Sequence, residues 1–458
     1  MMKNFVCVLI FAAVLALSTF NSGFAQTDEG IIQDEVIYPG KDETAAPGGG
    51  AGEPVDEEGS ISSDIFGKKR PYLHPFLIAS GAYTDNLFYA TGDEEKESDL
   101  YAIISPGIWV VVPYNRSRLI AIDTVATVPA GQLVTIRAPD RFSKFQFYAM
   151  YRPEFEIYNT FSEENTTNHR AEGFFQVNFK GGLSFDIIDR YDDAYEGRGV
   201  SVPGERTEYK SNMFQVVGRY NISPKFRVRA DYSNFPITFD EDFYSFRDRT
   251  DNRLSGYLFY RVKPKTSLFT EYRFTDIKYD ENGENDSVQN EIFLGVDWDI
   301  TSKTHGRFKA GYGLKQFDQP GIAEKGDFVF EGTMNYIFSS KVDIDLLLFS
   351  GFRETDFRGP DYMFTYGARA GYHHKFTGKW TGHLVAEYYK DSYEGEFTLG
   401  NQTDELRDEY FQISPSVAYD FRKWLKFTGG YMYEKRDSNF RDFDYETNKF
   451  FLTLGAQY

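Results

Sequence analysis

From residue 72 onward the chain alternates between an apolar set and a polar set, and it sustains the alternation over unusually long windows. Phe226, Val228, Ala230 and Tyr232 interleave with Arg227, Arg229, Asp231 and Ser233. Phe308, Ala310, Tyr312 and Leu314 interleave with Arg307, Lys309, Gly311, Gly313 and Lys315. The windows Val342–Phe349 and Leu425–Glu434 repeat the pattern. A period of two puts each set on one face of a strand. A soluble sandwich alternates in the same way, with its apolar face inward, so length has to discriminate. These windows run about 12–15 residues, whereas soluble strands average about 5–6. A tilted strand crossing a membrane needs about 9–11, plus protruding ends.

Short turns punctuate the windows at a fixed interval. Ser223-Pro224-Lys225, Lys263-Pro264-Lys265, Thr301-Ser302-Lys303, Ser339-Ser340-Lys341 and Thr377-Gly378-Lys379 end in lysines spaced 40, 38, 38 and 38 residues apart. Lys180-Gly181-Gly182 and Arg422-Lys423-Trp424 extend the series. Between them lie longer acidic connections such as 280–286, 319–325 and 395–403. Short turns on one side and long loops on the other are the topology of bacterial outer-membrane barrels, the short turns being periplasmic. A propeller blade of this period would need four short strands, where this unit has room for two long ones. The expected fold is therefore all-β: a transmembrane antiparallel up-and-down barrel over residues 71–458. Its turn count gives 18 strands, with 16 and 20 as the neighbouring even numbers, and both termini periplasmic. Leu119–Ile136, with Ala130-Gly131 as its turn, lacks the aromatic ends of its neighbours and is expected as a periplasmic hairpin insert.

What precedes the barrel has another character. Residues 1–25 have Lys3 before an apolar run from Phe5 to Leu17 and a small-residue stretch ending at Ala25, the pattern of a signal peptide. The run is too short for a spanning helix of about 20 residues. Residues 26–70 form an acidic Gly/Pro linker, with 11 acidic and 4 basic residues, that cannot bury enough apolar surface to order itself. No plug-like globular unit is expected before the barrel, which disfavours an energised nutrient receptor. The one cysteine, Cys7, falls inside the signal, so the mature chain offers no disulfide, thiolate metal site or cysteine nucleophile.

Eighteen strands enclose a lumen wide enough for water. The polar faces supply its expected lining: Arg227, Arg229, Asp231, Glu271, Arg273, Arg307, Lys309, Lys315, Asp343, Asp345, Glu387, Lys426 and Glu434. The basic members suggest a positive stripe favouring anionic solutes. His373 and His374 are neighbours on a strand, point to opposite faces and cannot simply share one metal. No metal, cofactor or catalytic set is expected, since no nucleophile, base and orienter converge in the sequence. With 69 Asp+Glu against 50 Lys+Arg, the chain is poorly suited to nucleic acid. Phe450, Leu452, Leu454, Ala456 and Tyr458 share one face of the last strand. A closing strand of this kind resembles the insertion signal read by the barrel-assembly machinery, so the expected partners are that machinery and outer-membrane lipid.

The opening of the barrel, His74-Pro75-Phe76-Leu77-Ile78-Ala79-Ser80-Gly81-Ala82-Tyr83-Thr84-Asp85-Asn86-Leu87-Phe88, precedes Ser98-Asp99 and Ile104-Ser105-Pro106-Gly107. Its marker residues are Tyr83, Asp85, Asn86, Phe88, Ser105, Pro106 and Gly107. The run resembles the β-barrel porin family often encoded with exopolysaccharide systems, and Leu183–Tyr191 looks like a later element of that family. The chain departs from the pattern at Leu119–Ile136 and in the acidic linker. The resemblance implies an outer-membrane passage for secreted polysaccharide, working with periplasmic export proteins. A general or solute-selective porin, and a non-conducting structural or adhesive barrel, are the other readings. The residues themselves make Asp85-Asn86 a loop-forming pair sooner than a sugar site, because both tolerate left-handed backbone and bond their own main chain.

Overall fold

The computed structural model describes residues 73–92, 95–112, 124–132, 144–199, 202–281, 285–301 and 304–457. The expected signal peptide, the linker and Tyr458 lie outside them. Fifteen strands run consecutively from the start: β1 (Leu73–Thr84), β2 (Asp99–Val112), β3 (Phe145–Tyr158), β4 (Thr166–Asn178), β5 (Leu183–Tyr195), β6 (Glu208–Asn221), β7 (Phe226–Phe239), β8 (Arg249–Lys263), β9 (Thr266–Tyr279), β10 (Ser287–Thr301), β11 (Thr304–Phe317), β12 (Lys325–Ser339), β13 (Val342–Arg353), β14 (Tyr362–Lys375) and β15 (Trp380–Glu394). A small hairpin, β16 (Phe397–Leu399) with β17 (Gln402–Asp404), stands in the next long connection. Then come β18 (Arg407–Arg422), β19 (Leu425–Ser438) and β20 (Tyr445–Gln457).

The eighteen long strands form one antiparallel sheet that closes where β1 pairs with β20, from Phe76↔Gln457 to Thr84↔Lys449. Each strand otherwise pairs with its sequence neighbours, so the barrel is up-and-down. Closure leaves no unpaired edge, the condition for a sheet to sit in lipid. The ladder breaks where proline removes the N–H. Between β2 and β3 the pairing lapses from Ile104↔Phe155 to Ile108↔Tyr151, where Pro106 and Pro153 fall. It lapses again beside Pro415, between Ile413↔Tyr433 and Ser416↔Gly430.

The faces divide as the alternation requires. Leu254, Leu258, Leu268, Tyr272, Ile292 and Leu294 stand outward and exposed, Leu294 at 73%. On a water-soluble protein such a belt would cost roughly 25 cal/mol for each Å² of apolar surface left in water. Against acyl chains it costs nothing, and that orientation makes this sheet a membrane wall. Phe450, Leu452, Leu454 and Ala456 are among the outward residues, because their alternates Thr447, Lys449, Phe451 and Thr453 are buried inside.

The short connections all lie at one rim, periplasmic by the rule for such barrels. The opposite rim carries the long ones, apart from the connection between β2 and β3, and those of the opposite rim fold together across the opening. Phe357 from the β13–β14 connection packs with Phe397 and Leu406 from β15–β18 and with Phe440 and Phe443 from β19–β20; Val202 from β5–β6 joins them. Arg436 on β19 donates to the carbonyl of Gly199 at 3.4 Å, and Arg358 donates to that of Phe243 at 3.2 Å. These contacts bring loops from opposite sides of the ring together.

The family-like opening serves closure. The Asp85 carboxylate accepts from the Asn448 backbone N–H and from its Nδ2, both at 2.7 Å. Buried Asn86 donates to the carbonyls of Ala90 (2.8 Å) and Glu446 (3.0 Å) and accepts from the Ala90 N–H at 2.8 Å. Last strand and first loop are thereby clamped at the outer rim. Phe88 stacks edge-on against Phe161, with Arg198 above its ring. Ser105 donates to Glu154 at 3.0 Å inside the wall, and Gly107 leaves room for the ring of Phe76. Tyr83 faces outward at 41% exposure.

Candidate functional site

A strand that alternates apolar and charged residues sends every charge into the lumen once its apolar side takes the lipid. All thirteen expected lining residues stand on the inner face, in step with the buried positions of their strands. They do not form a row of free charges. Arg229 meets Asp231 at 2.5 Å and Arg307 meets Asp297 at 2.9 Å. Arg273 bridges Glu271, Glu291 and Glu331 at 3.0, 3.2 and 2.8 Å. Lys309 bridges Glu271 and Glu331 at 2.7 and 2.9 Å, and Lys315 meets Glu354 at 2.7 Å. Arg227 lies over the ring of Phe259, 4.3 Å from its centroid. The expected positive stripe is thus corrected: the partner acids lie two residues along the same strand, on strands one to three places round the wall, or in a loop, and buried charges persist only when paired this way. Glu434 receives Tyr445 Oη at 2.9 Å and lies 3.5 Å from Lys449.

The expectation of a periplasmic hairpin at 119–136 is also overturned, for its described part. Strand β2 ends and β3 begins at the short-turn rim, yet Thr124–Gln132 lie inside the barrel against the opposite ends of β5 to β9. Arg249 donates to the carbonyl of Ala126; Arg253 donates to the carbonyls of Pro129 and of Gln132, the latter at 3.3 Å. Asp251 accepts from the N–H of Ala130 at 2.8 Å. The N–H of Glu354, from an outer loop, donates to the Thr127 carbonyl at 2.8 Å. Thr124 reaches Asp192 at 3.2 Å, and Gln215 reaches Gln132 at 3.1 Å. Around it pack Tyr148, Phe174, Ile188, Met213, Phe235 and Ile237. Ala130 and Gly131 take positive φ of 58° and 72°, turning the segment tightly enough for Asp251 to reach its N–H.

The physical reason is polar accounting. A short stretch without its own ladder leaves backbone groups unsatisfied, and a lumen lined with arginines and carboxylates offers them partners. The arginine pattern of β8, at 249 and 253, was the available signal, but nothing local joins it to residues 124–132.

Below this belt, at the short-turn rim, inward side chains meet water. Asp345 is half exposed and lies 3.0 Å from Nε2 of His373, whose Nδ1 lies 2.6 Å from Nδ1 of His383. His374 turns outward to the hydroxyl of Tyr372 at 3.1 Å. Neighbour-by-neighbour reasoning separated the two adjacent histidines and missed the cross-strand set, since that set depends on register: His373 faces Asp343 on one side and His383 on the other.

The family model described as "Putative beta-barrel porin 2" matches residues 72–458. Solved structures of similar form include the outer membrane protein opdK from Pseudomonas aeruginosa, at 10% identity, covering 84% of this chain and 99% of that one, with a TM-score of 0.41. Acinetobacter baumannii OccAB3 shows 11% identity over 84% of this chain and 99% of its own, with a TM-score of 0.41. A bacterial polysaccharide outer membrane secretin shows 8% identity over the same shares, with a TM-score of 0.31. No curated protein matches the chain.

Proposed function

The chain belongs to this beta-barrel porin family, and from that premise we propose that it is the outer-membrane passage of a polysaccharide-export system. It is an outer-membrane β-barrel of porin type. The observation that carries the finer reading is the segment Thr124–Gln132. It belongs to a connection rooted at the periplasmic rim and occupies the outer end of the lumen. A diffusion porin needs a standing opening. A passage held shut by a connection whose roots face the periplasm suits export, where a periplasmic partner can act on those roots and free the lumen.

The neutralised wall fits the same reading. Charges paired with one another exert little net field on a solute, so a polyhydroxylated chain passes without being selected by sign. In this proposal residues 1–25 direct export, and the acidic linker 26–70 contacts periplasmic export proteins. The terminal face that includes Phe450 and Leu452 addresses the barrel-assembly machinery. The protein acts without catalysis or cofactor.

The test is a deletion strain scored for surface polysaccharide. The expected result is loss of secreted polymer with intact intracellular synthesis, restored by the wild-type chain. Unchanged secretion, with altered uptake of small solutes, would assign a solute-selective porin instead. The occupied lumen also favours a non-conducting structural barrel. A barrel lacking residues 119–136 that gives no current in planar bilayers would establish that second reading.

A further inference from the structure

We propose that the periplasmic rim of the lumen holds a divalent transition-metal ion on Asp343, Asp345 and His373, with His383 orienting the imidazole. The inference is independent of what passes through the barrel. Asp343 and Asp345 project inward from the start of β13, and His373 projects inward from the end of β14, directly opposite Asp343 in the ladder. One ligand atom from each lies within 4.8 Å of the others. Zinc–nitrogen and zinc–oxygen bonds of about 2.0–2.2 Å hold the ligand atoms of one ion about 3–4 Å apart, so small rotamer changes bring the three onto a common centre.

Two further features mark the cluster as arranged. Two of the three ligands, Asp345 and His373, have a supporting partner, as metal ligands ordinarily do. Asn335 Nδ2 donates to Asp345 Oδ1 at 2.7 Å, leaving Oδ2 turned to His373. His373 Nδ1 faces His383 Nδ1 at 2.6 Å; with that nitrogen carrying the hydrogen, Nε2 is left as a metal ligand on the carboxylate side. The second feature is Gly371. It occupies the inward position opposite Asp345, and a Cβ there would stand 3.2 Å from His373 Nε2 and 3.7 Å from Asp345 Cβ. A side chain at 371 would crowd the space in which the imidazole and the carboxylate approach each other.

The donor set of one imidazole nitrogen and two carboxylate oxygens suits Zn²⁺, Mn²⁺ or Ni²⁺. It offers no soft sulfur for Cu⁺, and its imidazole disfavours Ca²⁺ and Mg²⁺. The metal would take the Nε2 lone pair on the side that faces Asp345. Water from the vestibule completes the coordination shell.

The experiment uses the untagged full-length mature barrel, refolded without lipopolysaccharide and stripped with chelator. Zn²⁺ is titrated calorimetrically, and Co²⁺ is followed by its visible absorption. The expected result is one ion per barrel and a Co²⁺ spectrum with nitrogen and oxygen ligands. His373→Ala should weaken binding at least a hundredfold, His383→Ala about 10–100-fold, and the outward His374→Ala should change nothing. Heat-dependent electrophoretic mobility verifies that each variant is folded. Absence of stoichiometric binding by the wild-type barrel would overturn the proposal. So would an affinity unmoved by His373→Ala or Asp343→Asn, or one lost equally in His374→Ala.

Discussion

If Thr124–Gln132 closes the lumen, replacing Arg253 by methionine should open it. The guanidinium of Arg253 donates to the Pro129 and Gln132 carbonyls, while its stem lies along the inner wall of β8. Methionine keeps much of the stem's volume and removes both bonds. Hydrogen bonds involving a charged group contribute about 1.5–3 kcal/mol each. The pair therefore holds the segment with about 3 kcal/mol at the low end. At 1.4 kcal/mol per tenfold, the ratio of docked to undocked segment should fall roughly 100-fold. Planar-bilayer recordings of the purified barrel should show wild-type openings as rare events and the Arg253→Met barrel open for a much larger fraction of the time. Arg229→Met supplies the control, since Arg229 pairs with Asp231 and does not touch the segment. A folded Arg253→Met barrel whose open fraction equals that of wild type would refute the reasoning, as would equal opening in Arg229→Met.

Three other outcomes follow from the wall itself. Asp85→Ala removes two acceptor bonds at the β1–β20 seam and should cost about 3–6 kcal/mol, read as a lower temperature for the heat-dependent mobility shift. Leu294→Arg puts a charge at mid-strand on the lipid face. It should reduce folding stability in vesicles by about 2–4 kcal/mol, where the same change on a water-facing surface would cost almost nothing. At Gly311 an added Cβ would lie 1.8 Å from the carbonyl oxygen of Ile292, a backbone atom held in the β10–β11 ladder. Gly311→Ala should therefore lower the yield of folded barrel far more than Gly256→Ala, where nothing lies within 4 Å.

Several structural features were legible before any coordinates, and for local reasons. Lys225, Lys265, Lys341 and Lys379 mark short-turn ends because each hairpin is made by residues adjacent in sequence. Phe226 and Val228 face away from Arg227 and Arg229 because a strand cannot do otherwise. Arg273 was correctly sent inward, but its companions Glu291 and Glu331 lie 18 and 58 residues away. Their proximity depends on one ladder in register for Glu291 and three for Glu331. His373 was read against His374, its chain neighbour, when its working neighbours are Asp345 and His383 on flanking strands.

By itself, then, the sequence determined the number of strands, their direction, the rim to which each connection belongs and the side turned to lipid. A period of two and a turn length are properties of a short stretch of chain. Closure decided what the lumen contains. Arg253 meets Gln132 across 121 residues, and Arg436 meets Gly199 across 237. Such pairs arise only when the ring joins and opposite walls share one interior, where each unsatisfied carbonyl or charge must take whatever partner the curvature of the sheet sets before it.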